Sequence, residues 1–295
     1  MSLKTRNSGA MFALLAAVLF GVGTPLIKLR FSAVDPILLA ALINLGAALG
    51  VAGMTRIPWR LGNLTRPENR LPFAGSIVCG GVLAPALLVW GIAHAPGSAA
   101  ALLMNLEAAF TALIAWIFFR ESIGPRFVIG LLLVTLGGVL VSAGAGSGPG
   151  RILAGLAIAA SCLGWAIDNN CTARLRDVTP AQFSLWKGLI AAAALFAFCA
   201  GMGTPLAGWR IVSEAILLGA CCHGLALLVF VTALQRLGAG RTAAYFAAAP
   251  FVGAAASVAL LGEPVTLALA CAAALMAAGV AALLTEPHPP AILPS

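Results

Sequence analysis

The chain has 295 residues, 61% of them hydrophobic and only 9% charged, with a mean hydropathy of +1.05. A soluble domain carries roughly a quarter of its residues as charges, so lipid has to be the solvent for most of this surface. The formal charge of +8 comes from basic residues standing singly or in pairs between apolar runs; that excludes the clustered basic face of a nucleic-acid reader and fits loops at an anionic membrane surface.

In chain order, Lys4 and Arg6 precede a first apolar run at 10–28, a start that imitates a secretory signal peptide. The runs that follow argue that it is retained as the first span. They lie near 33–54, 72–93, 98–118, 125–143, 151–172, 181–201, 211–233, 241–261 and 266–284, each about long enough to cross a bilayer. Pro58-Trp59-Arg60, Gly146–Gly150 and Thr204-Pro205 supply the turn chemistry of tight loops. The tail from Pro287 reads as a disordered end.

The loop charges test this division. With the N-terminus in the cytoplasm, the inner side carries Lys4, Arg6, Arg56, Arg60, Arg66, Arg70, Arg120, Arg126, Arg174, Arg176, Arg236 and Arg241. The outer side carries Lys28, Arg30, Arg151 and Arg210, and Lys187 lies within a span. This bias obeys the positive-inside rule and places both termini inside.

Ionisable side chains within a span cost about 2.5–3.5 kcal/mol each on insertion scales, so each needs a reason. In the first span, Gly21-Val22-Gly23-Thr24-Pro25 is expected to loosen or kink the helix, making Pro25 a candidate hinge or gate. Glu107 stands ten residues into the fourth run; it reads as a cation or proton site, or else as a structural carboxylate bonded to a neighbouring helix. In the sixth run, Ser161, Trp165, Asp168 and Thr172 recur at helical spacing and share one face, with Asn169 and Asn170 widening the polar region. That stripe would line a substrate path. Alternatively Asp168 pairs with Lys187 of the seventh run, and the pair is structural or a gate. His223 in the eighth run is a proton relay or a packing histidine. Thr242, Tyr245, Ala249, Gly253 and Ala256 form a stripe of mostly small residues suited to close helix packing; Tyr245, the single tyrosine of the chain, is the member expected to face a cavity. The cysteines (Cys79, Cys162, Cys171, Cys199, Cys221, Cys222 and Cys271) make no C-x-x-C spacing and read as small buried hydrophobes. Cys221-Cys222-His223 is a weak metal pattern, since successive helical residues point about 100° apart, and no metal site is expected.

The chain also repeats itself. Glu121 falls on Glu263 at an offset of 142, carrying Trp90–Ala101 onto Thr232–Ala243 and Gly137 onto Gly279; at 143, Phe20-Gly21 falls on Leu163-Gly164. Spans one to five thus match spans six to ten, and an odd number of spans per unit inverts one unit in the membrane. Glu121, Gly130 and Gly137 after F-F-R-E, repeated as Glu263, Ala272 and Gly279 after L-L-G-E, resemble the EamA module of the drug/metabolite transporter superfamily. The resemblance covers nearly the whole chain as two modules. It implies an all-α membrane protein of ten transmembrane helices in two inverted five-helix repeats, at 1–147 and 148–285, with 286–295 as a tail. It also implies that spans one, three, four, six, eight and nine surround a central cavity, which Glu107 would face.

No Walker A loop, G-x-S-x-G or H-E-x-x-H occurs, so transport would run on a gradient. The expected protein is a secondary transporter of the bacterial inner membrane. It is read as an exporter of a small polar metabolite such as an amino acid or derivative, with the lipid bilayer as its surroundings and no cofactor. Proton coupling and a homodimer are further expectations, and the substrate class is what the family resemblance implies. The rival from another class is an intramembrane transferase acting on a lipid-linked substrate, which would need an acidic or metal-binding cluster at the membrane boundary.

Overall fold

The computed structural model describes residues 3–55, 60–119, 124–144, 149–237 and 245–285, and every regular element among them is helical. Arg56, Glu121, Thr242, Arg241 and the tail after Thr285 lie outside the described residues. The helices are α1 (Leu3–Phe31), α2 (Pro36–Met54), α3 (Pro67–Gly75), α4 (Ala84–His94), α5 (Gly97–Leu103), α6 (Leu106–Phe119), α7 (Pro125–Gly144), α8 (Pro149–Thr172), α9 (Pro180–Gly201), α10 (Trp209–Leu218), α11 (Ala226–Leu237), α12 (Ala249–Leu261) and α13 (Leu267–Leu284). Two π-helical segments, Ser76–Leu83 and Gly219–Leu225, join α3 to α4 and α10 to α11.

Prolines open α2, α3, α7, α8 and α9, where a missing N–H costs nothing. The Asp35 side chain caps α2 at the amides of Ile37 and Leu38, and Thr179 caps α9 at Gln182. Among the described residues, six helical stretches are long and apolar enough to cross a membrane: Ser8–Phe31, Pro36–Met54, Pro67–His94, Pro149–Thr172, Pro180–Gly201 and Trp209–Phe230. Val128–Val141, Ala249–Leu261 and Leu267–Ala282 are shorter apolar helices. The fourth apolar run is cut at Met104–Asn105 into α5 and α6, so neither piece reaches span length alone. Small residues such as Ala16, Ala40, Ala100 and Ala191 are fully buried, while large apolar ones such as Phe118, Val139 and Leu217 face outward. That inversion of the soluble pattern is what helices packed in lipid require.

The packing repeats. The main contacts run α1 to α11 and α12, α8 to α4 and α6, α2 to the second π segment, α9 to the first, and α2 to α9, α5 to α12, α7 to α13. The contacts of α1 with α11 and α12 have their counterparts in those of α8 with α4 and α6, the contact of α2 with the second π segment in that of α9 with the first, and the α2–α9 and α7–α13 contacts are their own counterparts. Ser76 and Gly219, which open the π segments, stand 143 positions apart, as do Met104 and Ala247, where the chain leaves helical winding before α6 and α12. The α7–α13 contact is reciprocal. A β-carbon on Gly137 would lie 3.0 Å from the Ala272 carbonyl oxygen, and one on Gly279 2.9 Å from that of Gly130. The contact advances along α7 as it retreats along α13, so the two helices run antiparallel.

Candidate functional site

Two polar groups occupy the interior around α8. The first gathers on the π segment Ser76–Leu83. Asp168 is buried, 5% exposed, and its carboxylate accepts from Ser76 Oγ and, at 3.2 Å, from Thr172 Oγ1. Its other oxygen pairs with Lys187 Nζ from α9, and the ammonium also lies 5.3 Å from the centre of the Phe183 ring. The carboxylate reaches this depth because Gly80 offers no side chain; a β-carbon there would run into Asp168. Trp165 Nε1 donates to the Gly80 carbonyl at 3.1 Å, and Asn44 Nδ2 from α2 donates to that of Gly81 at 3.1 Å. The stripe Trp165–Asp168–Thr172 therefore turns onto the π segment, and the Asp168–Lys187 pair is formed. Ser161, on the same face, is fully buried, its hydroxyl unpartnered among the described residues.

The second group surrounds the break between α5 and α6. Asn105 N and Nδ2 both donate to the Leu102 carbonyl, at 3.0 and 2.9 Å, and Glu107 N donates to Met104 O at 3.1 Å. The Leu103 carbonyl, which an unbroken helix would pair with Glu107 N, instead receives Cys162 Sγ from α8 at 3.6 Å. Every freed backbone group named here finds a partner, the condition for broken helix inside a membrane. Glu107 stands in the first turn of α6 and accepts from Asn169 Nδ2 at 2.8 Å; the same nitrogen lies 3.3 Å from Thr111 Oγ1. Asn170 Nδ2 ties α8 to α6 through the Thr111 carbonyl at 3.2 Å. Glu107 has no cation within ion-pair distance among the described residues.

His223 sits in the other π segment with separate neighbours. Its ring meets Phe20 edge-on at 5.5 Å, Phe20 and Phe230 both contact Phe246, and His223 Nδ1 is buried without a partner among the described residues. Tyr245, beside Phe246, is 40% exposed. Pro25 lies within α1, which runs through it without a break.

Three participants carried no sign of these roles in the sequence. Ser76 stands 92 residues from Asp168, with no local pattern to join them. Thr111 sits one turn beyond Glu107, a spacing that carries a signal only once Glu107 is singled out. Glu263, read as a family marker, caps α5: its carboxylate accepts from Gly97 N at 2.6 Å, Ser98 N at 2.8 Å and Ser98 Oγ at 2.5 Å. Among the described residues, no three His, Cys, Asp or Glu side chains come together as metal ligands.

The profile of the EamA-like transporter family matches the chain twice, over residues 7–143 and 152–285. A protein of Methanothermobacter thermautotrophicus described as an uncharacterized transporter is 22% identical over 92% of this chain and 84% of its own. A solved crystal structure aligns over 94% of this chain and 96% of its own, with a TM-score of 0.65 and 23% identity, a likeness of fold. With both halves matched in succession by one profile, this multi-pass membrane protein belongs to the EamA-like transporter family.

Proposed function

We propose that the protein is a gradient-driven secondary transporter of the bacterial inner membrane that exports a small polar metabolite such as an amino acid or derivative, with Glu107 and Asn169 at the solute path. The observation that carries this reading is the helix broken beside Glu107. A discontinuous helix that sets a carboxylate at mid-span is the arrangement from which transporters build midplane sites. Glu107 is half-buried and Asn169 exposed; polar groups of this kind within a span are tolerated against a water-filled cavity, not against lipid. His223 and Tyr245 are assigned to the opposite wall of the same path, and Pro25 to its gate. The units are 1–147 and 148–285, inverted relative to each other, ten spans in all. The antiparallel α7–α13 contact and the paired π segments support that inversion.

The test is a solute screen in proteoliposomes, with and without an imposed pH gradient. Efflux or uptake of at least one amino-acid-like solute is expected. Movement of none, together with turnover of a lipid-linked substrate, would replace the transporter by a transferase.

Both termini are assigned to the cytoplasm. Arg66 pairs with Asp177 at 3.2 Å, Gln182 Nε2 donates to Arg60 O at 2.8 Å, and Arg126 reaches Thr285 O at 3.0 Å, so the basic loops expected on one side touch one another. Arg30 and Arg210 both bind Glu214, which joins the loops expected on the other. Reporter fusions after Arg70, Arg126 and Arg176 are expected to read cytoplasm, and fusions near Ser32, Gly148 and Thr204 periplasm. Two adjacent loops reading the same side would break the ten-span topology.

A further inference from the structure

We propose that Glu107, Thr111 and Asn169 form a binding site for sodium ion, which makes sodium a coupling cation of the transporter; the coupling rests on the transport reading, the binding does not. The argument begins with charge. Of the two interior carboxylates around α8, Asp168 is neutralised by Lys187. Glu107 has only the Asn169 amide and no cation among the described residues. A carboxylate within a span has to be compensated, and a bound cation is one way to do it.

Geometry adds the ligands. The amide nitrogen of Asn169 lies between two oxygens, 2.8 Å from Glu107 Oε1 and 3.3 Å from Thr111 Oγ1. An amide presents a donor and an acceptor of nearly the same shape, exchanged by a half-turn of its terminal torsion. That half-turn brings Asn169 Oδ1 to the place of the nitrogen. Three oxygens from two helices then converge: a carboxylate, a hydroxyl and an amide carbonyl. Oxygen-only ligands select hard cations. One carboxylate balances one positive charge, so a monovalent ion leaves the site neutral where a divalent ion would strand a charge in the membrane.

The surroundings suit an ion that must come and go. Asn169 is exposed and Glu107 half-buried, so the oxygens are reachable from outside the packed core. Asn170 holds Thr111 against α8 through backbone, fixing the distance between the ligands of α6 and the one on α8. The carbonyl end of α5 and the amide end of α6 meet at the break, and their opposed dipoles largely offset there.

The experiment is thermal unfolding of the purified full chain in detergent. Sodium chloride is titrated against choline chloride at constant ionic strength and pH, with potassium chloride as a size control. A saturable rise in the unfolding midpoint is expected with sodium and not with choline. Glu107→Gln is expected to abolish it. Thr111→Val is expected to raise the half-saturating sodium concentration at least tenfold, and Thr111→Ser, which keeps the oxygen, to restore it. Equal responses to sodium and choline, or an undiminished sodium response in Glu107→Gln, would overturn the site. If neither variant can be purified, the wild-type titration decides alone. Sodium-dependent stabilisation without solute movement in liposomes keeps the site and counts against transport. Solute movement indifferent to sodium, with no stabilisation, keeps the transporter and removes the site.

Discussion

Asp168→Asn or Lys187→Met alone is expected to remove about 3–5 kcal/mol of stability, the cost of stranding one partner of a buried ion pair, and the double substitution to return much of it. The two side chains are 8% and 17% exposed, so neither orphan can reach water without unpacking α8 or α9 from the π segment Ser76–Leu83. The loss is larger for Lys187→Met than a surface pair would give, because Asp168 would keep only the hydroxyls of Ser76 and Thr172 as partners. In Asp168→Asn the ammonium loses its counter-charge and is left with a neutral amide oxygen and the Phe183 ring. Two apolar or neutral groups in their place lose the pairing but also the penalty of desolvating charge. The measurement is the yield of monodisperse protein and its unfolding midpoint in detergent for both single variants and the double. A double variant no better than the worse single would mean that the two residues act separately.

Glu107→Gln is expected to preserve expression and helix packing while lowering transport at least tenfold or removing its dependence on the pH gradient. Glutamine keeps the volume and an oxygen that can accept from Asn169 Nδ2, so the α6–α8 contact survives. What it removes is the negative charge. Packing at the break is carried by other groups, Asn105 on the Leu102 carbonyl and Cys162 on that of Leu103, and none of them involves the carboxylate. Transport measured against pH for both forms in the same liposomes checks this. A mutant with the wild-type rate and pH profile would make Glu107 a structural carboxylate.

Much of this architecture was legible in the sequence because membranes enforce it. Apolar runs opened by prolines became helices, and loops grouped by charge touch their own group. The offset of 143 that carries Phe20-Gly21 onto Leu163-Gly164 also relates the π segments and the helix breaks. The Asp168–Lys187 pair was readable from a short loop and similar depth. The break at Met104–Asn105 was not. Neither residue is a helix breaker of the glycine or proline kind, and the discontinuity is held by tertiary partners on α8, α1 and α13, among them Thr24 and Met276 at the sulfur and amide of Met104 and Asn105. Pro25 leaves the Gly21 carbonyl without its helical donor, and that oxygen faces Gly253 of α12, where a β-carbon would lie 2.9 Å away.

The break has a mechanical consequence. α5 packs mainly against α12 and α1, whereas α6 packs mainly against α8. The two pieces of one crossing therefore answer to different neighbours, like two shafts meeting at a universal joint. Torque entering through α1 and α12 reaches Met104 and stops, because no unbroken ladder of i to i−4 bonds carries it further. Glu107, one turn past the joint, is tied to α8 through Asn169, so the carboxylate is expected to keep its partner in any movement of α1 and α12 against α8.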